Sequence, residues 1–133
     1  MAAPDRIVSL SLDSDVLASR SARRAIQELL DDDVPVAITR DAILLTSELV
    51  TNAVLHGNGT FQLVATFQPA TCVLRVEVAD ASPEMPVMSD MIDGRASRLG
   101  GLGLRLVNDV ADRWGAEPSG SGKVVWFELG PPA

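Results

Sequence analysis

Two alternating runs stand close together in the middle of the chain, "TFQLVATFQ" at 60–68 and "CVLRVEVAD" at 72–80, with Pro69, Ala70 and Thr71 between them. Successive strand residues point to opposite faces, so each run offers one apolar face to a core. So short a connection cannot carry a crossover between parallel strands, and it fits a hairpin. The chain is thereby committed to an antiparallel sheet with one face to cover. "RIVSLSL" (Arg6–Leu12) alternates in the same way near the start. "RWGAEP" and "KVVWFEL" form a closing pair, with Gly120 and Gly122 in the turn.

The covering elements follow from helical spacing. "DVLASRSARRAIQELLDD" places Val16, Leu17, Ala22, Ile26, Leu29 and Leu30 on one stripe. Asp31-Asp32-Asp33 and Pro35 end it as a solvated turn. A second helix runs from about Ile38 to His56, carries Ile43, Leu44, Glu48, Val50, Asn52, Val54 and Leu55, and closes on Gly57 and Gly59. From Ala81 to Leu99 the periodicity vanishes, and a loop of that length in a small domain is functional or mobile. "GGLGLRLVNDVADRWG" then opens a third helix. Strands and helices are segregated rather than alternating as βαβ units. This predicts an α+β two-layer sandwich, with a mixed, mostly antiparallel sheet and helices on one face. Without a linker or an internal repeat, residues 1–133 read as a single domain.

Composition narrows the function. The formal net charge of −7 excludes a broad nucleic-acid interface, which needs a basic face, and suits a partner with a basic patch. A 47% apolar, 22% charged chain is that of a soluble globular protein. No stretch is long and apolar enough for a signal peptide or a membrane span, so the cytoplasm is expected and a membrane is not. Cys72 is the one cysteine, reads as a small core residue and excludes an internal disulfide.

Candidate chemistry sits at three places. Glu48 and Asn52 share a helix face. An Asn oxygen suits Mg²⁺, and a carboxylate one turn away can take a proton from a hydroxyl attacking a phosphoryl group. Equally, such a pair caps or bridges neighbouring elements. Asp80 ends a strand and can accept a hydrogen bond from an exocyclic amine such as adenine's, or simply start a turn with Ser82 and Pro83. Gly100, Gly101 and Gly103 precede a helix whose free N–H groups suit phosphate, although no Walker sequence follows them. In chain order, metal, base and phosphate ligands together specify Mg-ATP.

With those residues in view, the chain resembles the GHKL ATPase superfamily, and within it the anti-sigma-factor serine kinases and their small actinobacterial relatives. "ELVTNAVLHG" resembles the N box, "VEVADASPEMP" the first glycine box, "GGLGLRLV" the second and "GKVVWFEL" the closing strand, over roughly Val16 to Leu129. The resemblance implies a Bergerat (histidine-kinase-like ATPase) fold binding ATP and Mg²⁺. It implies Glu48 as general base and Asn52 as the metal ligand. It places Asp80 on the adenine amine, and Gly101, Leu102, Gly103 and Leu104 along the triphosphate. A lid over about 81–100 would contribute Met85 and Arg98 to the nucleotide site; Arg95 and Arg98 suit the γ-phosphate when it closes, or equally stay solvated. The pattern departs from the family at Ser82, Leu55 and Val124, the last standing where relatives carry a threonine beside the acid.

The implied function is a protein serine kinase that phosphorylates a STAS-type anti-anti-sigma partner and regulates a sigma factor by partner switching. The alternatives are a nucleotide-gated or non-catalytic sigma-binding adaptor and, more distantly, a stand-alone ATPase. Homodimerisation is implied by the resemblance alone. His56, the one histidine, reads as a cap on the helix dipole, and Trp114 and Trp126 as core.

Overall fold

The computed structural model describes residues 3–56, 59–82 and 100–131, the backbone alone being described at 100–103. The elements run β1 (Arg6–Leu12), α1 (Ala18–Leu29), α2 (Val36–His56), β2 (Phe61–Gln68), β3 (Val73–Asp80), α3 (Gly100–Val110), β4 (Arg113–Ser119) and β5 (Gly122–Leu129). The five strands form one sheet in the order β1-β2-β3-β5-β4, with every pairing antiparallel. The expected two-layer α+β architecture is the one observed. Among the described residues no helix is long and apolar enough to cross a membrane.

Strand parity builds the core. Leu12, Phe61, Leu63, Ala65, Phe67, Leu74, Val76, Val78, Val125, Phe127 and Leu129 are buried on the helix-covered face. The register sets Leu12 against Phe61 and Leu10 against Leu63. α2 carries apolar residues over much of its surface because it packs against α1, α3 and the sheet at once. Its start follows Pro35, whose carbonyl accepts from the Ile38 and Thr39 N–H groups. Arg6 ties β1 to the end of α1. It donates to the Leu29 carbonyl at 3.0 Å and to Asp33 at 2.8 Å, and its guanidinium lies over Phe67.

Several details differ from the sequence reading. Val16 and Leu17 stay exposed, and α1 starts only at Ala18. The cause is local: Asp15 Oδ1 accepts the Leu17 N–H at 2.8 Å, turning the chain before the helix begins. Cys72 belongs to the hairpin turn rather than to β3. Its φ is 58°, and its N–H bonds the Gln68 carbonyl at 2.8 Å. Its half-buried side chain still packs at the margin of the core.

Trp126 belongs to the opposite face from Phe127. It lies over Gly115, its partner on β4, where an added Cβ would come within 2.9 Å of the indole. Arg75 stacks on the other side, 4.1 Å from the ring centroid. Arg75 also bonds Glu77 at 2.7 Å and Glu128 at 2.9 Å, and Arg113 bonds Glu128 at 2.6 Å. This lattice of side chains joins β3, β5 and β4 across the uncovered face.

The hydrogen bond from Arg113, reinforced by Arg75 against partial burial, holds the Glu128 carboxyl below the usual carboxylate range. A depressed folded-state pKa stabilises the protein above the unfolded value and loses that contribution as pH falls through the folded one. Glu128→Gln is therefore expected to cost about 1 kcal/mol at neutral pH, because the network is partly exposed. The cost should shrink toward zero in acid, below the ordinary carboxylate pKa. Urea unfolding of both proteins between neutral pH and about pH 3 checks this.

Candidate functional site

The register brings the end of β1, the start of β2, the end of β3 and the start of β5 to one end of the sheet. Leu12 pairs with Phe61, Gln62 with Ala79, and Asp80 with Lys123. α2 ends at His56, a short connection before Phe61, so its C-terminal part with Asn52 lies toward the same end. α3 returns the other way. Its last residue, Val110, is followed by β4 starting at Arg113 opposite Glu128, at the far end of the sheet. The N-terminus of α3 at Gly100 thus faces back toward Asp80. Topology alone gathers the C-terminal part of α2, Asp80 and the opening of α3.

Glu48 and Asn52 are half-buried at the border of the buried stripe formed by Leu45, Leu49 and Ala53. Neither side chain makes a hydrogen bond or ion pair with any described residue. Capping or bridging, the structural alternative for this pair, is thus not what these two side chains do among the described residues. An amide oxygen and a carboxylate stand one helical turn apart, aimed the same way, at the edge of the core.

Asp80 is placed differently. Its side chain is 4% exposed and that of Lys123 is 7% exposed. Asp80 Oδ1 accepts from Lys123 Nζ at 3.0 Å and from the Ser82 N–H at 2.9 Å, while Nζ also reaches the Ser82 carbonyl at 3.4 Å. Ser82 is buried and its N–H closes a turn back onto the acid. The strands meet closely here: a Cβ on Gly122 would lie 1.9 Å from the Asp80 carbonyl oxygen.

The register also fixes which residue of the closing strand stands beside the acid. Val124 pairs with Ala79, on the face away from the helices, whereas the residue beside the acid is Lys123. The side chain beside the acid is thus a lysine and not Val124.

Gly101, Leu102 and Gly103 form the first turn of α3. Leu104 follows with its side chain fully buried, so only its backbone can face a ligand. His56 is the half-buried last residue of α2, and Leu55 is 52% exposed. Met85, Arg95 and Arg98 lie outside the described residues, as does most of the segment 81–100 expected to form a lid.

The family model described as "Histidine kinase-like ATPase domain" matches residues 12–129, nearly the whole chain and every element from the end of β1 to β5. The chain belongs to the histidine kinase-like ATPase family. A crystal structure of the RsbU and RsbW domains of Rv1364c from Mycobacterium tuberculosis shares its fold, with a TM-score of 0.70 at 19% identity. That match covers 98% of this chain but only 34% of the other, so this domain spans about a third of its structural neighbour. No curated protein sequence matches the chain.

Within this histidine kinase-like ATPase domain, Lys123 is the site residue that the sequence reading passed over. The signal was present: Lys123 is the one lysine beside ten arginines, and it shares parity with the core residues Val125, Phe127 and Leu129. The close strand approach beside it gives a direct test. Gly122→Ala is expected to destabilise the domain by roughly 3 kcal/mol, because the clash is with backbone and cannot be relieved by a rotamer change. Urea denaturation of variant and wild type measures it.

Proposed function

We propose that the chain is an ATP-dependent protein serine kinase of the anti-sigma type, acting on a serine of a STAS-type anti-anti-sigma protein and exchanging that partner for a sigma factor. The observation that carries the reading is the Glu48–Asn52 pair: half-buried, one turn apart, and engaged with no described residue. Polar groups at a core margin cost free energy unless something needs them. Family membership over residues 12–129 supplies the need, a nucleotide. A neighbour containing domains called RsbU and RsbW supports the same direction.

In this reading Asn52 presents its amide oxygen to Mg²⁺, an ion that takes few protein ligands and completes its sphere with phosphate and water. When bound, Mg-ATP supplies the transferable phosphoryl group with its charge partly neutralised. Glu48 accepts the proton of the attacking serine hydroxyl. The N–H groups of Gly101, Leu102, Gly103 and Leu104 receive phosphate at the positive end of α3. Asp80 faces the base. Met85 and Arg98 belong to the covering segment, with Arg98 meeting the γ-phosphate.

The second reading, a sigma-binding adaptor without phosphotransfer, is favoured by one feature: the acid assigned to the base already carries Lys123.

Calorimetric titration with ATP, with and without Mg²⁺, separates the two readings. The kinase reading expects Mg²⁺-dependent binding that weakens about tenfold or more in Asn52→Ala. Glu48→Ala should bind Mg-ATP nearly as tightly as wild type and lose roughly 10²–10⁴-fold in phosphotransfer, the usual contribution of a general base. The acceptor for that assay is the STAS-type protein recovered on this chain from the native extract with Mg-ATP. Absence of binding at millimolar ATP would leave the adaptor, and an unchanged transfer rate in Glu48→Ala would remove the base assignment.

A further inference from the structure

We infer that Lys123 determines base specificity, converting the Asp80 end of the site from a reader of 6-aminopurines into one that accepts 6-oxopurines comparably well. The inference rests on the site being a nucleotide pocket and concerns which base it takes.

A carboxylate alone offers acceptors only. Against an exocyclic amine that is favourable. Against a 6-oxo group it sets two acceptors face to face, and a site built in this way rejects the wrong partner strongly because buried polar groups are left unpaired. Asp80 is not alone. Lys123 Nζ sits 3.0 Å from its Oδ1, both side chains are almost completely buried, and the Ser82 N–H bonds the same oxygen at 2.9 Å.

The pair is fixed rather than adventitious. Asp80 and Lys123 are cross-strand partners, Lys123 shares the inward parity of Val125 and Phe127, and Gly122 lets the two backbones meet without a side chain between them. An ammonium carries three donors. Two are directed at Asp80 Oδ1 and the Ser82 carbonyl, at 3.0 and 3.4 Å. The donor–acceptor pair can therefore answer a carbonyl with the ammonium and a ring N–H with the carboxylate. A 6-amine, by contrast, must share the acid with a cation that already holds it.

The test titrates wild type and Lys123→Thr with Mg-ATP and with Mg-inosine triphosphate, whose base carries a 6-oxo group and a ring N–H in place of the amine. Circular dichroism checks that each protein is folded, and Lys123→Met, which keeps much of the length without a donor or a charge, serves if the threonine variant unfolds. The expected result is a wild-type Kd ratio between the two nucleotides within about fivefold of one, rising to at least about 30-fold in favour of ATP once the ammonium is gone. A purely structural Lys123 would weaken both nucleotides equally and leave the ratio where it was. A wild-type preference for ATP beyond about 30-fold, or a ratio unchanged by the substitution, overturns the inference while leaving the nucleotide pocket intact. Failure of wild type and variant to bind either nucleotide at millimolar concentration overturns the pocket and the inference together.

Discussion

Everything at the site depends on one pairing, β5 against β3. These strands are not neighbours in sequence: the segment after Asp80, all of α3 and all of β4 intervene. Closing that long loop costs chain entropy that only non-local contacts can repay. Those contacts are present on both faces. Leu74 meets Leu129 and Val76 meets Phe127 beneath the helices, while Arg75 meets Glu128 on the open side with Trp126 stacked beside it. The same register that makes these contacts also sets Asp80 beside Lys123. A slip of one residue would send every one of these side chains to the opposite face. The Asp80–Lys123 pair is in this sense a by-product of sheet register, protected by the core that shares it.

The two faces use different physics. The covered face is apolar except at its two ends, with Arg6 over Phe67 at one and Asp80 buried with Lys123 at the other. The open face is held by charge and aromatic stacking, with Glu128 accepting from both Arg75 and Arg113. Gly115 belongs to this second system, since the Trp126 ring occupies the space a side chain would need. α2 carries the candidate pair: packed by α1, α3 and the sheet, it fixes Glu48 and Asn52 relative to its buried stripe.

Much of this was legible in the residues. The short spacer between "TFQLVATFQ" and "CVLRVEVAD" required a hairpin, and parity alone sorted Leu63, Ala65, Val76 and Val78 inward. The i, i+4 relation of Glu48 and Asn52 needed only helical geometry, although no sequence shows whether such side chains are engaged elsewhere. What was misread was decided by side chains acting on local backbone or across strands. Asp15 stops α1 from taking in Val16 and Leu17, and the hairpin puts Cys72 at positive φ. Trp126 looks like core by composition, yet the neighbouring glycine on β4 gives it a seat on the open face. Lys123 was missed for a different reason: reading by motif drew attention to Val124, while strand parity, available throughout, pointed to the residue before it.

That lysine changes what the fold needs from a ligand. A buried carboxylate without a partner is expensive, and breaking such a pair by removing one member costs several kcal/mol in characterised cases. An acid kept solely for a base would therefore leave the empty domain strained wherever water could not reach it. Lys123 and the Ser82 N–H both bond Asp80 Oδ1, so the chain itself pairs this buried acid with a cation. If the site takes a base as proposed, the cost moves to recognition, because the base then bonds to a pair whose members already hold each other. On the proposed reading, stability of the fold and selectivity for the base are thus set against each other at one residue, and this chain favours the former.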